Sequence, residues 1–424
     1  MPWTETRAMD QRMRFVVEYD LDELPMAALC AKYGVSRKTG YKWLARADQM
    51  GLGQLGDRSR APHHHPNQIC DDIEQAVLAM REAHPTWGPK KLRRRLEDQN
   101  AGMSWPARST IAQLLRRKGL VVPRKHHRRA TPSTRRLADY SGPNAVWCID
   151  FKGWFRTSDG RRCDPLTISD GFSRYLIRCQ AVDDTSGPGI RPLLEAAFRE
   201  YGLPWAIRSD NGPPFASRAI GGLSRLSVWW IKLGIRPERI EPGKPQQNGR
   251  HERMHLTLKR ETACPPAGTG RAQQRRFDAF RKEYNDDRPH EALGLATPAS
   301  VYEPSGRSYP VREPELSYPA DWQTRQVRVR GEVKFKGPLF LSEALVGEPV
   351  GLEPIDGRYW RVHFGPVPLG ILDECGHRML APRELRRAGL TVAPADAPSA
   401  DNPPVAALQD ACQPREEVLP MCPD

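Results

Sequence analysis

Three acidic residues stand in local phrases suited to metal-assisted chemistry on phosphate esters. Asp150 lies in VWCIDFKGW, inside a strongly apolar run. Asp210 lies in WAIRSDNGPPF, where an apolar run ends at an Asn-Gly turn, and Glu252 lies in KPQQNGRHERMHLTLKRE, in the first turns of a helical pattern. Singly, each has an ordinary explanation. A carboxylate in a buried strand needs a partner, and one of the many arginines could serve Asp150. Asp-Asn-Gly is common turn chemistry, and Glu252 could sit on a helix surface. Together they say more. Two strand-end carboxylates and one helical carboxylate can converge at one edge of a mixed sheet, where like charges raise each other's pKa. A divalent cation removes that conflict. Magnesium takes oxygen ligands and leaves positions for phosphate oxygens. Two such ions ~3.5–4 Å apart can activate a water or a 3′-hydroxyl and stabilise the leaving oxygen of an in-line displacement. The sequence offers no good Ser-His-Asp or Cys-His arrangement and no Gly-x-x-x-x-Gly-Lys loop.

The elements that must hold these residues fall within 143–303. Strand-like runs occur at 145–155, 164–169, 174–182 and 204–208, and helical runs at about 188–200, 217–233, 247–261 and 274–286. That order predicts a mixed α/β sheet covered by helices. Lys259 follows Glu252 by seven residues, on the same helix face two turns on, within reach of a DNA phosphate. Arg250 and Arg253 flank the site from other faces. Asp170 and Arg174 read as a structural pair at a strand turn, and Trp147 and Trp154 as core.

Upstream, residues 1–60 read as a helix-turn-helix domain. In PMAALCAKYGVSRKTGYKWLARA a turn at Gly34 separates two helices, Ser36 caps the second, and Val35, Trp43 and Leu44 face inward. Arg37, Lys38 and Lys42 then face out toward DNA. After a Gly/Pro/His/Arg-rich linker, 66–122 reads as a second such domain, with Lys90 and Lys91 on a basic middle helix offered to DNA. Residues 123–142 form a basic connector whose PRKHHRRATPSTRR carries six Lys/Arg and no acid, including Arg124, Lys125, Arg128 and Arg129. It can lie along phosphates. Residues 318–376 are β-rich, with RQVRVRGEVKFKG as a half-buried strand and Asp356-Gly357 as a hairpin turn. They predict a small β-barrel. The tail, 390–424, is rich in Ala, Pro and acids and reads as disordered.

The formal net charge of +14 favours a polyanionic partner. No stretch reaches the ~20 apolar residues of a membrane helix, and the N-terminus has no apolar signal core. None of the nine cysteines forms a C-x-x-C pair, which points to neither a zinc ribbon nor a disulfide framework and suits a reducing cytosol. The His63-His64-His65 run with Cys70 lacks a second pair at zinc spacing and reads as linker.

The three acidic segments resemble the DDE motif of the integrase catalytic core, shared by retroviral integrases and many bacterial insertion-sequence transposases. The matching phrases are W-x-x-D at Asp150, Ser-Asp-Asn-Gly around Asp210, and P-x-x-N-G-x-x-E-R ending at Glu252 and Arg253, with LTISDGFSRY similar to the second strand and turn. The resemblance implies an RNase-H-like fold with a five-stranded mixed sheet. It also implies Mg2+ or Mn2+ held by Asp150, Asp210 and Glu252, and donor-end cleavage with strand transfer. Double-stranded DNA and further copies of the chain would be the partners, in a bacterial cytoplasm at the nucleoid. The whole then reads as multidomain: N-terminal helix-turn-helix domains, an α/β RNase-H-like core and a C-terminal barrel. One spacing departs from the family. Forty-one residues separate Asp210 from Glu252, more than is usual there, with the extra length placed in 218–243 as a longer helix or loop. Glu241 and Glu238 are the alternatives for the third carboxylate.

Overall fold

The computed structural model describes residues 8–57, 69–121, 137, 140–217, 220–241 and 245–392. The chain divides into two compact units, Met1–Ile69 and Cys70–Asp424.

The first unit packs three helices, α1 (Ala8–Asp20), α2 (Met26–Lys32) and α3 (Arg37–Met50), around Phe15, Val16, Leu29, Cys30 and Leu55. Gly34 makes the α2–α3 turn at φ +62, and the Ser36 hydroxyl accepts a hydrogen bond from the Thr39 amide to cap α3. Val35, Trp43 and Leu44 pack inward and Arg37, Lys38 and Lys42 are exposed, as the sequence predicts. Gly40 is buried within α3 because the other helices come too close for a side chain. A Cβ there would lie 2.9 Å from both Cys30 Sγ and Phe15 Cζ. Gly40→Ala is therefore expected to destabilise this unit by about 1–2 kcal/mol, overpacking of ~1–3 kcal/mol outweighing a ~1 kcal/mol gain in helix propensity. Thermal unfolding of the full chain by circular dichroism checks this, and an unchanged or raised transition contradicts it.

The second unit begins with α4 (Asp71–Ala83), α5 (Pro89–Gln99) and α6 (Arg108–Arg117) around Val77, Trp87, Leu92, Ile111, Leu114 and Leu115. The α/β core follows. Its strands are β1 (Val146–Phe151), β2 (Phe155–Arg156), β3 (Arg162–Asp170), β4 (Leu176–Val182), β5 (Ala206–Ser209) and β6 (Arg236–Arg239). Its helices are α7 (Gly187–Tyr201), α8 (Arg225–Lys232), α9 (Gly249–Thr262) and α10 (Gly270–Lys282). The sheet runs β4-β3-β1-β5-β6, and the two-residue β2 extends the β1–β3 hairpin. The β3 strand is antiparallel to β1 and β4, while β1, β5 and β6 are mutually parallel.

Strand alternation assigns the two faces. Trp147, Ile149, Leu166, Ile168 and Ile207 join Leu194 and Phe198 of α7 and Trp229 and Trp230 of α8 in one cluster. The intervening residues face α9 and α10, where Met254, Leu258, Phe277 and Phe280 pack with Cys163, Leu176 and Cys179. The extra length between Asp210 and Glu252 holds α8 and then β6. The β6 strand was missed because RPER is polar and contains Pro237; it is the edge strand, where proline is tolerated.

Polar contacts fasten α4 and α5 to the α/β core. His84 meets Glu283 at 2.9 Å, Lys90 pairs with Glu291 at 2.8 Å, and Arg95 pairs with Asp287. The Thr86 hydroxyl donates to Glu261 of α9, which also accepts from Arg288 at 2.8 Å.

The C-terminal region departs from expectation, since its strands do not close into a barrel. Strands β7 (Gln323–Gln326), β10 (Pro349–Pro354), β11 (Tyr359–Phe364), β12 (Val367–Asp373) and β13 (Arg378–Met379) form an open antiparallel sheet, and β8 (Glu332–Lys334) pairs only with β9 (Pro338–Phe340). The run expected as one strand breaks at Gly331, whose φ of +76 and close approach to the Ser342 backbone permit only a turn. The short β7 and β13 leave both sheet edges unjoined. Apolar side chains of this region also pack on Val228 and Ile231 of α8. The hairpin at Asp356-Gly357 forms between β10 and β11 as predicted.

Candidate active site

The register of two parallel strands brings Asp150 and Asp210 together. Val146 pairs with Ala206, Trp147 with Ile207 and Cys148 with Arg208, an offset of 60 residues throughout. Extended by two residues, it sets Asp150 beside Asp210 at the C-terminal ends of β1 and β5. Glu252 arrives from the first turn of α9. The buried stripe His251, Met254, His255, Leu258 and Thr262 clamps that helix to the sheet and leaves Glu252 exposed at its border.

Charge supports the grouping. Burial, the neighbouring Asp210 and then Glu252 push the Asp150 carboxyl up to about 7, against a lowering backbone hydrogen bond from Phe151. Burial also raises Asp210, while the Gly212 amide, 3.2 Å from its Oδ1, opposes that. Among the described residues no lysine or arginine forms an ion pair with any of the three. The donor set is all oxygen, the chemistry of a hard divalent ion. Among the described residues, no three His, Cys, Asp or Glu side chains stand close enough to hold a metal as they are. Asp150 and Asp210 are the pair that the sheet sets side by side, and Glu252 stands on the adjoining helix.

The alternatives for the third carboxylate have other work. Glu238 is buried between Arg208, at 2.9 Å, and Arg236, at 3.0 Å. Glu241 is bonded to Gln247. Lys259 is exposed on α9 as expected. The expected Asp170–Arg174 pair is not formed. The Asp170 carboxylate instead accepts from the Asn144 amide, which precedes β1, and from the Ser173 amide and hydroxyl of the β3–β4 turn. Trp147 is core, but Trp154 is 56% exposed, with the Arg156 and Arg162 guanidinium groups over its ring. Of the cations assigned to DNA, Lys90 has Glu291 as a partner, and burial lowers Lys91 to about 8. Arg124, Lys125, Arg128 and Arg129 lie outside the described residues.

The sequence reading overlooked a polar network beneath Asp150. Thr167, opposite Asp150 across the β1–β3 ladder, is fully buried, and its hydroxyl reaches the Asp150 carbonyl oxygen at 3.1 Å. The same oxygen lies 2.7 Å from His251 Nε2 and 2.6 Å from His255 Nε2. Ser169 Oγ lies 2.8 Å from His251 Nδ1. Burial lowers His251 to about 3 and His255 to about 2, so both rings are neutral. The available signal was two histidines four residues apart on the apolar stripe of α9, facing the alternating Thr167 and Ser169 of β3.

Without divalent metal the raised Asp150 carboxyl lowers stability as pH rises. The folded chain keeps a proton that the unfolded chain, with an ordinary value of 3.8, has released. Stability attributable to this group therefore falls between about pH 4 and pH 7. In chelator, the melting temperature of wild type is expected to drop relative to Asp150→Asn by several degrees from pH 6 to pH 8. Added Mg2+ should recover it at pH 8. Parallel pH trends in the two proteins would contradict this.

Comparison with known proteins agrees with the fold. Residues 141–245 and 233–298 each match an integrase core domain family, residues 11–63 a helix-turn-helix domain, and residues 39–115 a homeodomain-like domain. A protein of insertion element IS407 from Burkholderia multivorans is 35% identical over 191 residues, covering 45% of this chain and 66% of that protein. A protein of insertion element IS136 from Agrobacterium fabrum is 32% identical over 170 residues, covering 37% of this chain and 80% of that one. Among solved structures, a chain of the simian T-cell lymphotropic virus intasome in complex with PP2A regulatory subunit B56 gamma is 18% identical, with a TM-score of 0.33. It covers 73% of this chain and 100% of that chain. The chain belongs to the integrase core domain family, and proteins of bacterial insertion elements are among its relatives.

Proposed function

We propose that this chain is a DNA transposase that cuts the ends of an insertion element and joins them to target DNA. The observation that carries this reading is the strand register that sets Asp150 beside Asp210, with Glu252 on the adjoining helix. These three residues would hold Mg2+ or Mn2+. When bound there, such a cation would supply Lewis-acid help to the attacking and leaving oxygens of an in-line displacement. Asp150 and Asp210 set the position of the reaction on a rigid sheet edge. Glu252 completes the site from a helix, and Lys259, two turns on, meets the DNA backbone. Arg37, Lys38 and Lys42 on α3 read the element end, and the basic connector lies along phosphates. Two ends must meet, so the active form holds more than one copy of the chain. Among the described residues no helix is long and apolar enough to cross a membrane, and a reaction on bacterial DNA belongs in the cytoplasm.

The test is an in vitro reaction with labelled element-end DNA, a target duplex and Mg2+. Cleavage and joining by wild type but not by Asp150→Asn is the expected result. Cleavage without joining would make the chain a nuclease, and DNA binding with neither reaction would make it a non-catalytic regulator.

A further inference from the structure

Counting hydrogens in the buried network fixes where the free lone pair lies. The Thr167 hydroxyl has one proton and three close partners, the Asp150 carbonyl oxygen and the Nε2 atoms of His251 and His255. A carbonyl oxygen only accepts, so all three contacts are hydrogen bonds only when the hydroxyl donates to Asp150 and both histidines donate from Nε2. The Nδ1 atoms then carry lone pairs. That of His251 accepts from the Ser169 hydroxyl. That of His255 receives no hydrogen bond from a described residue and faces Asp150 Oδ2 at 3.9 Å.

This arrangement leaves His255 Nδ1 and Asp150 Oδ2 opposite each other with no hydrogen bond between them. His255 is 6% exposed, and Asp150 is a carboxylate without a cationic partner among the described residues. The gap is too wide for a hydrogen bond. It is narrow enough for one ion bonded to both atoms at roughly 2.1 Å. His255 also follows Glu252 by three residues on α9, the helical spacing at which a carboxylate and an imidazole serve one metal centre in carboxylate-bridged bundles. The Thr167 bond orients the ring from its far nitrogen, as partners of metal-bound histidines do.

We propose that His255 Nδ1 is a fourth donor to the cation held at Asp150, making this an oxygen-and-nitrogen site that takes Mn2+ in preference to Mg2+. The proposal rests on the carboxylate reading above and adds to it a nitrogen ligand and a metal preference. Imidazole suits transition metals, whereas Mg2+ keeps to oxygen.

The test uses the full chain, stripped of metal and loaded with Mn2+. Electron spin-echo envelope modulation is expected to show 14N coupling to the ion in wild type and none in His255→Leu. Titration is expected to show His255→Leu losing about tenfold in Mn2+ affinity and under about threefold in Mg2+ affinity. His255→Gln, which keeps a donor toward Thr167, should lose the coupling too and guards against a folding defect in the leucine variant. The wild-type spectrum depends on no variant. Mn2+ that needs Asp150 but shows no 14N coupling overturns the inference and leaves the carboxylate site standing. Coupling that survives Asp150→Asn comes from another histidine, such as the His63-His64-His65 run, and also overturns it. Mn2+ binding indifferent to Asp150 overturns both readings.

Discussion

Asp150→Asn is expected to leave binding of element-end DNA within about twofold and to cut strand joining by roughly 10³-fold or more. A metal ligand of this kind contributes several kcal/mol to the transition state, and ~4 kcal/mol corresponds to about three decades in rate. The geometry sharpens the expectation. Asparagine keeps the shape of the side chain and the β1 backbone ladder with β3 and β5, so the fold has no cause to suffer. It removes the charge that burial and Asp210 already disfavour, so the metal-free variant should be at least as stable as wild type at pH 8. Lost joining with retained stability and DNA binding is the combined signature. A variant that still joins DNA within tenfold of wild type would remove Asp150 from the chemistry.

The second large effect concerns stability. Glu238→Ala is expected to cost about 3–5 kcal/mol, because it strands a buried guanidinium. Arg208 and Glu238 are 3% and 1% exposed, face each other across β5 and β6, and meet at 2.9 Å. Arg208 also stacks against the Tyr140 ring at 4.6 Å and bonds its hydroxyl. Replacing both partners with apolar residues, Arg208→Met with Glu238→Leu, should restore most of the loss, since a buried pair is often exchangeable for well-packed hydrocarbon. Denaturant unfolding of wild type, Arg208→Met, Glu238→Leu and the double variant, with Glu238→Ala alongside, measures this as a double-mutant cycle. The cycle also decides a question about the site. If Glu238→Ala proved stable but unable to join DNA, Glu238 rather than Glu252 would be the third carboxylate.

The parts legible in the sequence were those with strong local signals. The apolar run around Asp150, the Asn-Gly turn after Asp210 and the helical stripe containing Met254 and Leu258 each specify an element without help from the rest of the chain. The first helix-turn-helix was legible because Gly34 and Ser36 punctuate it. Tertiary facts were not. Nothing local in RPER marks a strand, because β6 exists only as the edge partner of β5. RQVRVRGEVKFKG alternates correctly, yet Gly331 turns it, since the approach of the Ser342 backbone is invisible in a single line of residues. The pairing of Lys90 and Arg95 with core acids was hidden for the same reason: a basic helix face looks alike whether it meets water, DNA or a distant Glu291. Trp154 shows the converse, an aromatic residue read as core that is exposed beneath two arginines.

The contacts that fasten α4 and α5 to the core have a consequence for exchanging parts between relatives. Cutting at the basic connector looks like a natural joint for grafting a foreign DNA-reading module onto this integrase core domain. It would not be a clean joint. The donor module would need counterparts of His84, Thr86, Lys90 and Arg95 placed to meet Glu283, Glu261, Glu291 and Asp287. One of those acids, Glu261, lies on the same helix as Glu252, nine residues on. A chimera that ignored this seam would inherit a mismatched joint at the far end of the helix that carries Glu252.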